Sequence, residues 1–249
     1  MSLNLDFSEK KILVTGGTRG IGKEIAIQFL NSGGYVIITG TKTVDESKLK
    51  KEWGYNNLIY KRVDFLIEES VLMFLDWIKN QDKIDILVNN AGINRVDFNV
   101  NSRTSDFNNI MDVNLKGPYL FCREVSMIMK KNKFGRIVNI SSIWAAITRP
   151  GRSLYSTSKF GLVGLTKTLS VELASYGILV NAVAPGFTMT ELTKKTNSKK
   201  EIEDLKKIIP IKRLAQPIEI ARLILFLTSE MNSYITGQNI IIDGGYTNI

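Results

Sequence analysis

Histidine is absent from the 249-residue sequence, and cysteine occurs only once, at Cys122. Without histidine, a serine–histidine nucleophile cannot form and a common zinc ligand is missing, so we expect no metal site. A lone cysteine cannot form an internal disulfide, and Cys122 lies in an apolar stretch where we expect a buried thiol. These absences leave tyrosine, serine, lysine and the carboxylates as candidates for chemistry.

Long hydrophobic runs are also absent. The longest, such as residues 223–227, fall far short of the ~20 residues that a membrane-spanning helix needs, so we expect no membrane partner. The amino terminus lacks the basic segment and apolar core of a signal peptide, and we expect a cytoplasmic protein. No linker rich in proline, glycine or serine divides the chain, so residues 1–249 should form a single domain.

Positive charge is in excess, with a net charge of +9. Such a balance could suggest nucleic-acid binding. The lysines are scattered, however, and no nucleic-acid motif is present, so we predict no nucleic-acid partner. A solvated surface explains the charge better, and that surface could also attract acidic substrates or an acidic carrier protein.

Short apolar strands alternate with helical stretches along the chain. The predicted strands are residues 11–15, 35–39, 57–63, 85–88, 136–141, 178–184 and 239–242. The predicted helices include residues 21–30, 68–79, 104–131 and 153–176. Gly117-Pro118 should mark a kink or a close contact within the third of these helices. The order predicts an α/β fold with a doubly wound, mostly parallel, seven-stranded sheet and helices on both faces. Residues 188–200 are the least regular segment and the candidate for a mobile lid.

The turn between the first strand and the first helix carries Gly16, Gly20 and Gly22. Small residues at this point let the backbone approach a pyrophosphate, and the helix N-terminus favours its negative charge. The alternative is a tight strand–helix turn without a ligand. Because a strand and a helix flank the glycines as a dinucleotide site requires, we favour the ligand-binding interpretation.

The end of the second strand indicates which dinucleotide is preferred. NAD-dependent enzymes commonly place an acidic residue there to bind the ribose 2′-hydroxyl, but this chain has none at that point. Arg19 and Lys42 could instead meet a 2′-phosphate, which predicts NADP(H) rather than NAD(H). Asp45 and Glu46 lie slightly downstream, where we interpret them as the start of a helix.

Further candidates follow the third, fourth and fifth strands, at the sheet edge where ligands bind. Asp64 could accept a hydrogen bond from an adenine amino group, or could cap a helix. Ala91 and Gly92 would permit close approach to a cofactor, although they could also form a simple turn. Ser142 could hydrogen-bond a substrate carbonyl, or could serve only as a capping hydroxyl.

Tyr155 and Lys159 lie four residues apart at the start of a long predicted helix, so they should project from the same face. A neighbouring ammonium would lower the pKa of the phenol, which normally lies near ~10. Such a tyrosine could exchange a proton with a carbonyl or alcohol oxygen near neutral pH. The alternative is a surface tyrosine beside a solvated lysine, yet no other tyrosine in the chain has a lysine four residues on.

Taken together, these motifs resemble the short-chain dehydrogenase/reductase family, from about residue 9 to the C-terminus. Within the family the chain is similar to the group that includes the 3-oxoacyl-(acyl-carrier-protein) reductases. The resemblance is carried by the glycine turn, Asn89 to Gly92, Asn114, Ser142, Tyr155, Lys159, Pro185-Gly186 and Asp243 to Gly245. It implies a single-domain Rossmann-type fold and an NADP(H)-dependent oxidoreductase that transfers a hydride between the nicotinamide and a carbonyl or alcohol carbon.

The resemblance also implies a role for each site residue. Tyr155 would be the acid/base, Ser142 would orient the carbonyl, and Lys159 would bind the nicotinamide ribose and depress the pKa of Tyr155. Asn114 would hold a water that links Lys159 to solvent. The full set of expected cofactor-binding residues is Gly16, Thr18, Arg19, Gly20, Ile21, Gly22, Thr41, Lys42, Asp64, Asn90, Ala91, Gly92, Tyr155, Lys159, Pro185, Gly186, Thr188 and Thr190. A homotetramer is expected, with the C-terminal segment buried at an interface.

The loop before Tyr155 departs from the acyl-carrier reductases, which are usually glycine-rich there. It carries Trp144, Arg149 and Arg152, which we take as candidate substrate residues. Trp144 would narrow the pocket, and either arginine could pair with a carboxylate or phosphate. A 3-oxoacyl thioester is the favoured substrate, with an acyl carrier protein as a possible partner of Lys133. The alternatives are a sugar, polyol or small anionic hydroxy or keto compound, and more distantly a non-catalytic dinucleotide-binding sensor.

Overall fold

The computed structural model describes residues 5–249, and its centre is a seven-stranded sheet. Every neighbouring pair of strands is parallel, and the order across the sheet is β3-β2-β1-β4-β5-β6-β7. The strands are β1 Lys11–Val14, β2 Tyr35–Gly40, β3 Leu58–Arg62, β4 Ile86–Asn89, β5 Gly135–Ile140, β6 Ile178–Pro185 and β7 Asn239–Ile242. The predicted α/β fold class is confirmed. The order reverses between β1 and β4, and that switch point is where open parallel sheets bind ligands.

Helices cover both faces of the sheet. They are α1 Gly20–Asn31, α2 Glu46–Trp53, α3 Glu68–Lys79, α4 Thr104–Met111, α5 Gly117–Asn132, α6 Ser153–Leu173, α7 Glu191–Thr196, α8 Lys199–Ile208 and α9 Pro217–Thr228. Side chains alternate along β1, so Ile12 and Val14 join the core under α1 and α9 while Leu13 joins the core under α3 and α5. The two cores hold the sheet rigid beneath its ligand-binding edge. Cys122 is buried in the second core, as predicted, and burial raises the pKa of its thiol to about 12.

The helix predicted over residues 104–131 contains a π-helical segment at Asp112–Lys116, between α4 and α5. A close contact at Gly117 is confirmed, because a Cβ on that residue would overlap the ring of Phe65. A π-helical turn widens the helix by one residue, and such turns are frequent at functional sites. Here the widened turn carries Asn114, one of the predicted catalytic residues.

Residues 188–200 are more regular than the sequence suggested. They contain α7, and the Oγ1 atom of Thr190 caps this helix by accepting a hydrogen bond of 3.1 Å from the backbone of Thr193. The mobility of the segment stays a prediction. Within residues 5–249, none of the helices has the length and apolar character that crossing a bilayer requires.

Candidate active site

The first turns of α6 bring Tyr155 and Lys159 to the carboxyl edge of the sheet. The Nζ atom of Lys159 lies 5.6 Å from the centroid of the Tyr155 ring, so the two side chains share one face of the helix as predicted. Lys159 is only 3% exposed, and its Nζ atom donates a hydrogen bond of 2.7 Å to the carbonyl of Ile140, the last residue of β5. The strand end therefore fixes the lysine beside the tyrosine.

Burial sets the protonation of Lys159. Removing the ammonium from water lowers its pKa from 10.5 to about 8. The group therefore keeps its proton at neutral pH and loses it within the mildly alkaline range.

Burial also raises the pKa of Tyr155, while a hydrogen bond with Ser142 and the positive charge of Arg152 act against the rise. The sequence had suggested a pKa lowered by Lys159, and that expectation was wrong for this structure. The ammonium of Lys159 donates its hydrogen bond to the Ile140 carbonyl. The cost of burying a phenolate outweighs the favourable effects of Ser142 and Arg152. The phenol is thus neutral at pH 7 and is suited to donating a proton.

Ser142 begins the loop after β5 and has two roles. Its Oγ atom accepts a hydrogen bond of 3.2 Å from the backbone of Trp144, which caps a short 3₁₀ turn at Ile143–Ala145. The same hydroxyl lies close enough to the phenol to oppose the rise in the pKa of Tyr155. The capping and catalytic interpretations of this serine are therefore compatible, since the cap holds the hydroxyl in reach of the phenol.

Asn114 is fully buried and holds the loop after β4. Its side chain exchanges two hydrogen bonds of 2.9 Å with the backbone of Ile93, and its Nδ2 atom donates a third, of 3.1 Å, to Ser158. A Cβ on Gly92 would lie 3.4 Å from the Asn114 Oδ1 atom and 3.6 Å from the Lys159 Nζ atom. The side chains of Asn114 and Lys159 therefore both lie next to Gly92. A water that links the two stays a prediction.

The glycine turn has the conformation that its residue types require. Gly16 and Gly20 adopt φ values of 63° and 58°, in the left-handed region that favours glycine. A Cβ on Gly22 would overlap the Asn90 side chain and the Gly16 carbonyl. No side chain caps the N-terminus of α1, so its free backbone N–H groups remain able to bind an anion.

Asn90, which directly follows β4, stabilises the glycine turn. Its Nδ2 atom donates to the carbonyls of Thr15 and Gly16 at 2.9 and 3.1 Å. A Cβ on Gly16 would lie 3.0 Å from the Cα atom of Ala91, so the backbone of that residue closes the other side of the turn. These contacts give Asn90 a structural role, and direct contact of Asn90 and Ala91 with a cofactor stays a prediction.

Three cationic residues lie near the end of β2. Arg19 is the N-cap residue of α1, and Lys42 lies two residues beyond β2. A third cation, Arg62, donates from Nε to the Thr41 carbonyl at 3.1 Å. Arg62 was not among the residues predicted from the sequence, although it ends β3 and pairs in register with Gly40 of β2.

The acids nearest to the end of β2 are otherwise engaged. Asp45 caps α2 through the backbone of Ser47 and Lys48, as predicted for a helix start, and Glu46 forms an ion pair of 2.8 Å with Lys50. The residues described here thus place cations, rather than a free carboxylate, where a 2′-substituent would lie.

Other predicted cofactor residues lie along the same edge. Asp64 accepts a hydrogen bond of 3.0 Å from the backbone of Leu66 and does not cap α3, whose N-cap is Ile67. A Cβ on Gly40 would lie 2.9 Å from the Cγ2 atom of Thr18, so Thr18 covers the end of β2. Ile21 instead packs partly against the core under α1.

The segment after β6 reaches across to the glycine turn. Pro185 ends β6, and the Thr188 Oγ1 atom donates to the Gly186 carbonyl at 3.1 Å. A Cβ on Gly20 would meet the Thr190 Cγ2 atom at 3.6 Å. The segment after β6 therefore lies against the start of α1, so the predicted residues of the two segments are neighbours.

A family model described as enoyl-(acyl carrier protein) reductase matches residues 16–247. The chain belongs to the short-chain dehydrogenase/reductase family. It is similar to the 3-oxoacyl-(acyl-carrier-protein) reductase FabG of Aquifex aeolicus, at 42% identity over 98% of this chain and 99% of that protein. FabG of Rickettsia felis is 39% identical over 97% of this chain and 98% of its own length.

Two solved structures extend the comparison. ElxO with NADP bound superposes with a TM-score of 0.89 at 36% identity and covers 96% of this chain and 99% of that chain. A gluconate 5-dehydrogenase from Burkholderia cenocepacia J2315, in complex with NADP and tartrate, gives a TM-score of 0.89 at 28% identity over 99% and 98% of the two chains.

The candidate substrate residues Trp144, Arg149 and Arg152 lie in the segment that leads into Tyr155. Trp144 is 6% exposed and makes edge-to-face contacts with Phe187 and Tyr246, at centroid distances of 6.3 and 6.5 Å. Arg149 and Arg152 both lie over the Trp144 ring, at 5.1 and 5.2 Å from its centroid. Both predicted arginines therefore contact the predicted tryptophan.

Phe187 and Tyr246 were not among the site residues predicted from the sequence. Phe187 directly follows Pro185-Gly186, which was a usable signal. Tyr246 lies near the C-terminus, and only the three-dimensional fold brings it to Phe187, at a centroid distance of 5.2 Å.

Proposed function

We propose that the protein is an NADP(H)-dependent reductase of ketone carbonyls, with a 3-oxoacyl thioester as the favoured substrate. The observation that carries the proposal is the phenol of Tyr155, which shares one face of α6 with the buried ammonium of Lys159 and lies near the Ser142 hydroxyl. The FabG relatives, at about 40% identity over nearly their whole length, support the substrate class.

In the reductive direction Tyr155 donates its proton to the carbonyl oxygen, and Ser142 orients that oxygen by a hydrogen bond. The positive charges of Lys159 and Arg152 offset part of the cost of the phenolate that remains, although burial keeps the pKa of Tyr155 above its ordinary value. When bound, NADPH supplies the hydride to the carbonyl carbon. The product is the alcohol, and the phenol regains its proton from solvent; a relay through Asn114 and Lys159 is the proposed route.

The residues of the glycine turn and of the neighbouring segment 185–190 suit a dinucleotide phosphate. The uncapped N-terminus of α1 would hold the pyrophosphate, and Arg19, Lys42 and Arg62 would hold a 2′-phosphate. Asp64, Thr18 and Thr41 would border the adenosine half, while Asn90, Gly92, Thr188 and Thr190 would border the nicotinamide half.

Two partner proposals follow from the family. An acyl carrier protein would dock near Lys133, which ends α5 in the left-handed conformation with a φ of 51°. A homotetramer would bury the apolar groove on the outer face of α4, α5 and α6, which is lined by Met111, Leu115, Lys116, Tyr119 and Leu165. A mass measurement of the protein in solution checks the second proposal, and a cytoplasmic location likewise stays a prediction.

A second candidate function is oxidation or reduction of a small hydroxy or keto acid. The observation that favours it is the pair of arginines over Trp144, beside the proton donor. The similar gluconate 5-dehydrogenase was solved with NADP and tartrate, a dicarboxylate, which agrees with that class of ligand.

The test is a substrate panel with purified protein, in which consumption of NADPH and of NADH is followed in parallel. The panel comprises an acetoacetyl thioester, keto acids and ketoses. We expect turnover of the thioester with NADPH at a rate well above that with NADH. Turnover confined to keto acids would move the assignment to the second candidate, and no turnover of any carbonyl would refute both.

A further inference from the structure

Arg152 carries a buried positive charge without a counterion. Its residue is 8% exposed, and its Nε atom has no hydrogen-bond partner within residues 5–249. Neither Arg152 nor its exposed neighbour Arg149 forms an ion pair with any described carboxylate. A buried charge left unpaired is costly, and the charge of Arg149 adds to that cost.

A second set of unpaired donors lies at the same place. Arg152 is the N-cap residue of α6, and no side chain caps this 21-residue helix. The Oγ atom of Ser153 is buried and has no hydrogen-bond partner among the described residues. The helix N-terminus adds backbone N–H groups and a partial positive charge to the two guanidinium groups.

Trp144 makes this cluster rigid. Its buried ring lies under both guanidinium groups, at 5.1 Å for Arg149 and 5.2 Å for Arg152. Stacking on an aromatic face holds the planar fork of an arginine in place and reduces the freedom lost when it binds an anion. The cluster is therefore preorganised rather than a pair of mobile surface side chains.

We infer that Arg152, Ser153 and Arg149 form a subsite for an anionic group of the substrate itself, close to the carbonyl that Tyr155 protonates. The inference rests on the proposed carbonyl reduction and favours its second candidate, a small anionic hydroxy or keto compound, over the thioester. Arg152 and Tyr155 are three residues apart on one helix, which places their side chains about one turn apart. The anion must then lie within a few bonds of the ketone, as in a short keto acid or a ketose phosphate. In a carrier-bound 3-oxoacyl group the pantetheine phosphate is many bonds from the ketone. That phosphate would not contact Arg152 while the ketone contacts Tyr155.

The experiment compares charged substrates with neutral counterparts. Acetoacetate and levulinate are each paired with their methyl esters, and dihydroxyacetone phosphate is paired with dihydroxyacetone. With the wild-type protein we expect a higher kcat/KM for the anionic member of at least one pair. The pair that shows the preference distinguishes a carboxylate from a phosphate.

The Arg152→Gln variant should lower kcat/KM for the preferred anion by roughly ten- to 150-fold, the range expected for a lost hydrogen bond to a charged group. Its kcat/KM for the neutral counterpart should fall much less, because there the variant loses only the charge that acts on Tyr155 and not a bond to the substrate. Lys167→Gln removes an exposed charge further along α6 and should change neither value. Because the variant removes an unpaired buried cation, its Tm should not fall. A Tm equal to or above that of wild type would exclude misfolding as the cause of a lower kcat/KM.

The outcomes separate the inference from the proposed function. If wild type reduces neutral ketones and their anionic counterparts equally, or if Arg152→Gln affects both members of a pair alike, the inference is wrong while the proposed function stands. If no ketone of any charge is reduced, the proposed function fails and the inference fails with it.

Discussion

Replacing Lys159 with methionine should stabilise the fold or leave it unchanged while abolishing activity. The pKa of Lys159 falls from 10.5 to about 8 because of burial, a shift of about 2.5 units, so keeping the ammonium in the native state costs about 3 kcal/mol. Methionine fills a similar volume without a charge. It leaves the Ile140 carbonyl without its 2.7 Å donor, which costs about 1–3 kcal/mol. The net change in unfolding free energy is then about 0–2 kcal/mol in favour of the variant.

The difference in unfolding free energy between the two proteins should also change with pH, which a change in packing alone would not produce. Between pH 8 and 10.5 the unfolded state binds more protons at Lys159 than the native state does. The unfolding free energy of the wild type therefore increases as pH rises. The variant lacks that gain, and its advantage should shrink across this range. Urea unfolding of both proteins at several pH values measures the difference. A variant that is less stable by 1 kcal/mol or more near pH 7, or a difference that is flat with pH, would refute the reasoning.

Three further predictions concern the glycine turn, the cations at β2 and the last helix. Gly22→Ala should weaken NADPH binding and lower Tm, because its Cβ would overlap Asn90; fluorescence titration and thermal melts measure both. Arg62→Glu should lower kcat/KM with NADPH by about tenfold or more and leave NADH nearly unchanged, and equal losses would contradict the cation assignment. The pKa of Glu219 is lowered to about 2 by hydrogen bonds from Arg213 and the Gln216 backbone, so its contribution to stability is lost as pH falls from about 4.5 towards 2. Glu219→Gln should remove that acid-range loss, with a cost near pH 7 of at most about 1 kcal/mol because the pair is partly exposed.

Local patterns were sufficient to predict the sheet and much of the site. The strands of a buried parallel sheet are short apolar runs, and their order with the helices determines the doubly wound architecture. Tyr155 and Lys159 were predictable because helical spacing alone places them on one face. The glycine turn was predictable because a left-handed φ and close packing limit the residue type.

What could not be predicted depended on contacts between distant parts of the chain. The direction of the Tyr155 pKa shift depends on how deeply the phenol is buried, and on the Ile140 carbonyl that engages Lys159. The contact of Phe187 with Tyr246 joins residues almost sixty positions apart. Arg152 stood out in the sequence as a departure from the family, but its lack of a counterion became evident only in the folded protein.

The central claim is that the Tyr155 phenol is the proton donor for carbonyl reduction. The most direct test measures NADPH consumption by wild type and by Tyr155→Phe with the best substrate of the panel, together with NADPH affinity by fluorescence titration. The account predicts that the variant loses roughly 10²- to 10⁴-fold in kcat while its NADPH affinity stays within about twofold. Retention of the wild-type rate by the variant would contradict the account.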